Sequence, residues 1–204
     1  MKNILTKMML IMLLVSSYNA SASFITTGDI SSSSISLPIG WTHLNFEALF
    51  DGHTAQKGPK TNRFVGLRGS GAALNSTNTI DFSIDLSNAV TINSIALFND
   101  WGSILNQQIT DLSVDFLSGG SVVSSFLFTS LNQNTFAKIE LASALSIANV
   151  DSIEFAISGV QATNIEITEI QIGASTNPVS ASVPALGSLL ALFIGFVLVR
   201  RNRV

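Results

Sequence analysis

Apolar and polar residues alternate with a period of two through the middle of this chain. Ile80, Phe82, Ile84 and Leu86 share one face of the segment 79–86, with Asp81, Ser83 and Asp85 on the other, the pattern of a half-buried strand. Val90 to Phe98 repeats the alternation and turns more apolar towards its end. Leu112–Phe116 and Val122–Phe128 flank Ser118-Gly-Gly-Ser121, which predicts a hairpin turn. Phe136–Leu141, Ile153–Ile157 and Ile165–Ile172 supply further strands. In the last of these Ile165 and Ile167 fall on one face and Ile170 and Ile172 on the other. A bulge or twist near Thr168 is needed to bury all four. Eight or so short strands without crossover helices predict an all-β chain, an antiparallel β-sandwich or jelly roll. The carboxylates Asp81, Asp85, Asp111 and Asp115 then fall on its solvent face.

Both ends break this pattern. Lys2 and Lys7 precede the apolar run 8–15, and Ala20-Ser-Ala22 follows with the small-x-small signature that signal peptidase accepts. Residues 1–22 therefore read as a secretory signal peptide cut after Ala22. Eight apolar residues are too few to cross a bilayer of about 30 Å at about 1.5 Å per residue. At the other end a run of roughly 15–17 apolar residues lies between Val183-Pro184 and Arg200-Arg201-Asn-Arg203. It predicts a single hydrophobic helix at the lower length limit for spanning, its arginine tip held in the cytoplasm. The expected organisation is a signal peptide (1–22), a β-sandwich (23–173), a polar linker (174–182) and a C-terminal membrane signal (183–204).

Composition narrows the partners. Five of the ten basic residues lie in the two ends, leaving five against thirteen acidic residues, a net near −8 for the body. That balance argues against nucleic acid. With no cysteine and 11% charged residues, disulfides, thiolate metal sites and cysteine nucleophiles are excluded, and a hard cation remains an available staple. His43 and His53 are the only histidines. Neither has metal-ligand spacing, no Gly-x-Ser-x-Gly elbow occurs, and Leu67–Ala73 lacks the Lys-Ser/Thr pair of a phosphate loop. These features point to binding, not to an enzyme.

The C-terminal segment resembles the PEP-CTERM sorting signal, through Val183-Pro184, the Leu-rich helix with a glycine, and Arg200-Arg201. It departs from that signal at Pro184-Ala-Leu186, where the second proline is missing. The resemblance implies an exosortase-type sorting protease as partner. It also implies a transient anchor in the inner membrane of a Gram-negative bacterium, then delivery to the cell surface or extracellular matrix. A plain tail anchor is the alternative. The body is similar to discoidin-like domains, the coagulation-factor type C group among the galactose-binding-like jelly rolls. The likeness runs through Glu47–Thr54, through Phe82–Leu86 with Ile92–Trp101, and through Ile153–Ile157 with Asn164–Ile172. It implies a structural Ca²⁺ held by Asp51, Thr54 and Glu169, with carbonyls near Phe50 and His53. Asp51-Gly52 as an ordinary turn is the competing reading. It also implies a glycan or exopolysaccharide bound by end loops, with Trp101 and Arg68 as contacts and Trp41 and His43 as further candidates. Trp101 as a strand-end core residue stays open, as does a structural or adhesive matrix role with no defined ligand.

Overall fold

The computed structural model describes residues 23–42, 46–52, 66–99, 108–131, 139–161 and 164–176. The signal-peptide positions Ala20 and Ala22 and the sorting positions Val183, Pro184, Arg200 and Arg201 lie outside the described residues. No described helix is long and apolar enough to cross a membrane.

The described strands are β1 (Ser23–Phe24), β2 (Ile30–Ser36), β3 (Leu67–Ser70), β4 (Ile80–Asn99), β5 (Ile109–Ser118), β6 (Ser121–Phe128), β7 (Ile139–Ala142), β8 (Ile147–Val160) and β9 (Asn164–Thr176). Short 3₁₀ turns occupy Thr27–Asp29 and Phe46–Phe50. Every pairing is antiparallel. The chain is thus an all-β antiparallel sandwich of the jelly-roll type.

β4 joins the two layers. Its first half lies between β2 and β8, and its second half between β9 and β7. The register with β8 breaks between Asp85 and Val90, where Ser87, Asn88 and Ala89 are exposed. Two strands expected from the sequence are therefore one twenty-residue strand. The front layer runs β2-β4-β8-β5-β6, and the back layer places β1 and β3 against β9, then β4 and β7.

Inward residues of both layers form one core. Phe82 stacks on Phe155 at 4.6 Å between centroids, Phe46 meets Phe82 edge-on, and Phe50 tilts against Phe155. The 3₁₀ turn Phe46–Phe50 thus plugs the sandwich with two aromatics and the fully buried Leu49. At the β5–β6 hairpin, Gly119 and Gly120 both take positive φ, 56° and 75°, as a two-residue hairpin turn demands.

The isoleucine spacing of β9 has the expected consequence. Phe98 pairs with Glu169 while Asn99 pairs with Ile167, so Thr168 is the extra residue of a bulge. All four isoleucines are at most 1% exposed. The carboxylates Asp81 and Asp85 are exposed, and Asp111 and Asp115 half-buried. β9 continues to Thr176, three residues past the expected domain end at Gly173, because Val90, Thr91 and Ile92 of β4 go on pairing with it.

Candidate functional site

Glu169 is one of two buried carboxylates among the described residues, Glu166 of the same strand being the other. Glu169 follows the Thr168 bulge, is only 2% exposed, and reaches the Asp51-Gly52 turn far away in sequence. The Gly52 amide donates to Glu169 Oε1 at 3.0 Å, while Oε2 is buried without a hydrogen-bond partner. Burial pushes this carboxyl up from its ordinary 4.5 to about 8. The Gly52 amide opposes that rise, and the neighbouring charge of Asp51 adds to it.

Local packing explains the meeting. Asp51 and Gly52 leave the 3₁₀ turn whose Phe46, Leu49 and Phe50 are sunk in the core. Gly66 donates its amide to the Ile167 carbonyl at 3.1 Å, and a Cβ there would meet the Leu49 side chain at 2.6 Å. Gly52 itself takes φ 81°, a conformation natural to glycine. The turn is thereby set beside β9.

Two carboxylates, one with a buried oxygen lacking a donor, fit the donor chemistry of a hard cation, which takes oxygens only. Of the three residues expected to hold Ca²⁺, the fold brings Asp51 and Glu169 together, and Thr54 lies outside the described residues. No group of three or more His, Asp or Glu side chains suited to a metal occurs among the described residues. Backbone carbonyls and residues 53–65 would have to complete such a shell.

The expected glycan contacts divide three ways. Trp41 is not one of them. It is 5% exposed and its indole Nε1 donates to the Ala72 carbonyl at 3.0 Å, so it is a core residue. Gly71 is needed beside its ring and Gly69 beside the Thr42 carbonyl, since a Cβ at either would collide. The Gly-Ser-Gly run is thus a close-packing device. Trp101 and His43 lie outside the described residues. Arg68 is placed by its backbone on β3, opposite Glu166 of β9.

Ile167 of β9 is flanked by Leu67 on one side and Asn99 on the other. Neighbouring strands lie about 4.8 Å apart, so the backbones preceding Arg68 and Asp100-Trp101 are about 10 Å apart. Just before β5, Gln108 meets the end of β8, where the Gln161 amide donates to the Gln108 carbonyl. Gln108 is fully buried, which no alternating run predicts, because it belongs to none.

No known family's profile matches this chain, and no curated protein matches it. Among solved structures the chain is similar to discoidin-like and family 32 carbohydrate-binding domains. One is the family 32 module of NanJ from C. perfringens in complex with galactose, at 15% identity and TM-score 0.47, covering 74% of this chain and 98% of that one. Another is the family 32 module of AlyQ in complex with 4,5-unsaturated mannuronic acid, at 21% identity and TM-score 0.48, covering 74% and 97%. A third is the F5/8 type C domain of a Bacteroides fragilis protein, at 12% identity and TM-score 0.48, covering 76% and 98%.

Proposed function

We propose that this chain is an exported surface or matrix protein whose jelly-roll body is a glycan-binding module, not an enzyme. The observation that carries the reading is the convergence on Ile167. One residue of β9 is flanked by the strand bearing Arg68 and by the strand end that leads to Trp101. Their separation of about 10 Å across β9 is one that one or two sugar rings lying over the strand ends would span. In this reading Trp101 stacks on a sugar face, and Arg68 donates to hydroxyls or to a sugar carboxylate.

Ca²⁺ on Asp51 and Glu169, with Thr54, belongs to the same reading. Its chemistry would be structural, since a cation there supplies the positive charge that the buried Oε2 lacks. It would also tie residue 52 to residue 169, closing a long loop. Export through residues 1–22, a linker after Thr176 and exosortase handling of Val183-Pro184 and the Arg200-Arg201 tip complete the proposal. The basis of that part is the sequence alone.

The test is a glycan array, neutral and uronic-acid oligosaccharides included, probed with the full chain and with its Trp101→Ala and Arg68→Ala variants. The expected result is a defined set of bound glycans, weakened at least tenfold by either substitution. A flat array, or binding untouched by both changes, rejects the site. A flat array joined to concentration-dependent assembly would favour the second reading, a structural or adhesive matrix protein.

A further inference from the structure

The solvent face of the front layer has a shape as well as a charge. Register carries two ranks of side chains straight across its strands. Ser34 of β2 lies opposite Ser83 of β4, Ser83 opposite Glu154 of β8, and Glu154 opposite Asp115 of β5. Two residues along each strand, about 7 Å away, Ser36, Asp81, Ala156 and Ser113 form a second rank in the same order. Leu127 of β6 ends that rank beside Ser113 and is 69% exposed. Ser34, Ser36, Asp81 and Glu154 are exposed, and the other members of the two ranks are half-buried. Between the ranks lies a trough of about 510 Å³, a size usual for ligand sites. It crosses four strands, a length of about 14 Å.

Hydroxyls and carboxylates line this trough. Ser34 Oγ and Ser83 Oγ share a hydrogen bond of 2.9 Å, and Ser113 Oγ donates to the Ala156 carbonyl at 3.5 Å. Thr79 Oγ1 donates to Asp81 at 3.0 Å. No described residue donates a hydrogen bond to Asp115 or Glu154, and β2, β4, β5 and β8 hold no lysine or arginine. An ionised carboxylate only accepts, at about four lone-pair sites. Asp115 and Glu154 therefore keep that capacity for solvent or for a ligand.

We infer that this trough is a second binding surface, for an uncharged, hydroxyl-rich glycan chain. Sugar hydroxyls are donors, and bonds from them to Asp115 and Glu154 would be charge-assisted, stronger than neutral ones. The serine hydroxyls both donate and accept, so they suit ring hydroxyls of either role. Leu127 offers aliphatic surface at one end for the C–H face of a ring. A uronate chain is disfavoured, because its carboxylates would lie beside Asp81, Asp115 and Glu154 with no cation in these strands to offset the repulsion. The hydroxyl lining also favours a glycan over a basic peptide, whose cations would use the carboxylates and leave the serines idle. The trough belongs to the front layer and Arg68 to β3 of the back layer, so this surface does not rest on the site proposed above.

Affinity electrophoresis of the full chain carrying both Trp101→Ala and Arg68→Ala isolates this surface. The gels hold a neutral glucan, mannan or galactan, or polygalacturonate. At least one neutral chain should retard the protein, and polygalacturonate should not. Adding Glu154→Ala should weaken the retardation about tenfold, the worth of a hydrogen bond to a charged group. Ala156→Phe, which fills the trough from an outward position, should abolish it with an unchanged circular dichroism spectrum. Asp115→Asn with Glu154→Gln should admit polygalacturonate, a gain that no loss of folding can mimic. Migration unaffected by every neutral chain would overturn the inference, as would retardation that Ala156→Phe leaves intact. So would tighter binding of oligolysine than of any neutral chain, which would make the face a cation-binding one. The site at Arg68 can fail on the array while this one succeeds, and the reverse.

Discussion

Asp85 and Glu169 are both strand carboxylates, and their surroundings push them in opposite directions. Asp85 stands on the open face of the front layer, where Ser32 Oγ donates to it at 2.5 Å. The hydroxyls of Ser32 and Ser152 hold its carboxyl below the usual range against little desolvation. Glu169 stands on the covered side of the back layer, with the Asp51-Gly52 turn for company. The difference is one of solvent and donors, not of residue type: an anion that meets hydroxyls and water is stabilised, and one that meets packing is not. Serine-rich strands such as β2 keep the front face hospitable to charge. The back face tolerates its carboxylate only as the neutral acid or beside a cation.

The largest expected effect comes from breaking the covered side. Leu49→Ala removes a fully buried side chain and should cost about 2–5 kcal/mol. It should also admit water beside the Asp51-Gly52 turn. Carboxyl titration by NMR should then find Glu169 moved from near 8 back towards the ordinary range. A stable variant in which Glu169 does not move would show that Asp51, not burial, sets its protonation.

A middle-sized effect sharpens the comparison through pH. The Glu169 carboxyl is raised from 4.5 to about 8 in the folded chain, so the folded state holds its proton more tightly than the unfolded one. The stability linked to that proton is complete below about 4.5 and is lost as pH climbs to about 8. For Asp85, lowered in the fold, the linkage has the opposite sign: its contribution is present above 3.8 and fades as pH falls below that. Without calcium, melting curves should show stability declining from pH 5 to pH 8 by up to a few kcal/mol. Excess calcium should abolish the decline, because binding replaces the proton. Glu169→Gln should flatten the pH curve and remove the calcium response together. A calcium shift that survives in Glu169→Gln would place the ion elsewhere.

Much of this contrast was legible in the sequence, and what was hidden has physical causes. Alternation in Ile80–Leu86 gave both faces of β4, and the isoleucine spacing of β9 gave its bulge. The pairing of Asp51 with Glu169 followed from a family likeness, not from local pattern, because nothing in either segment encodes contact across more than a hundred residues. β2 was missed, since five serines around Ile30 and Ile35 carry no period-two signal. The single strand across Ser87-Asn88-Ala89 read as two because the apolar alternation lapses there, where β4 leaves one layer for the other. Trp41 looked available for a ligand because it belongs to no periodic run, and only the glycine-lined slot against Gly71 shows that it is buried. The covering of the back face is likewise a tertiary fact, since the burial of Glu166, Thr168 and Glu169 is not written in the period of the strand that carries them.

The smallest expected effect concerns the open face alone. Glu154 of β8 sits directly opposite Asp115 of β5, with Ser83 on its other side. β2, β4, β5, β6 and β8 contain no lysine or arginine, so these strands supply no cation to that pair. Like charges opposed across strands cost a few tenths of a kcal/mol. Glu154→Gln should therefore stabilise the chain by roughly 0.2–0.5 kcal/mol at low salt. The gain should shrink as ionic strength approaches about 1 M, where the screening length falls to about 3 Å. Equal melting of the two proteins at low salt would mean that the serines and water around the pair already absorb the repulsion. In that case the open face would tolerate carboxylates through the same hydroxyl solvation that holds Asp85 down, and its charge density would carry no stability cost that evolution had to offset.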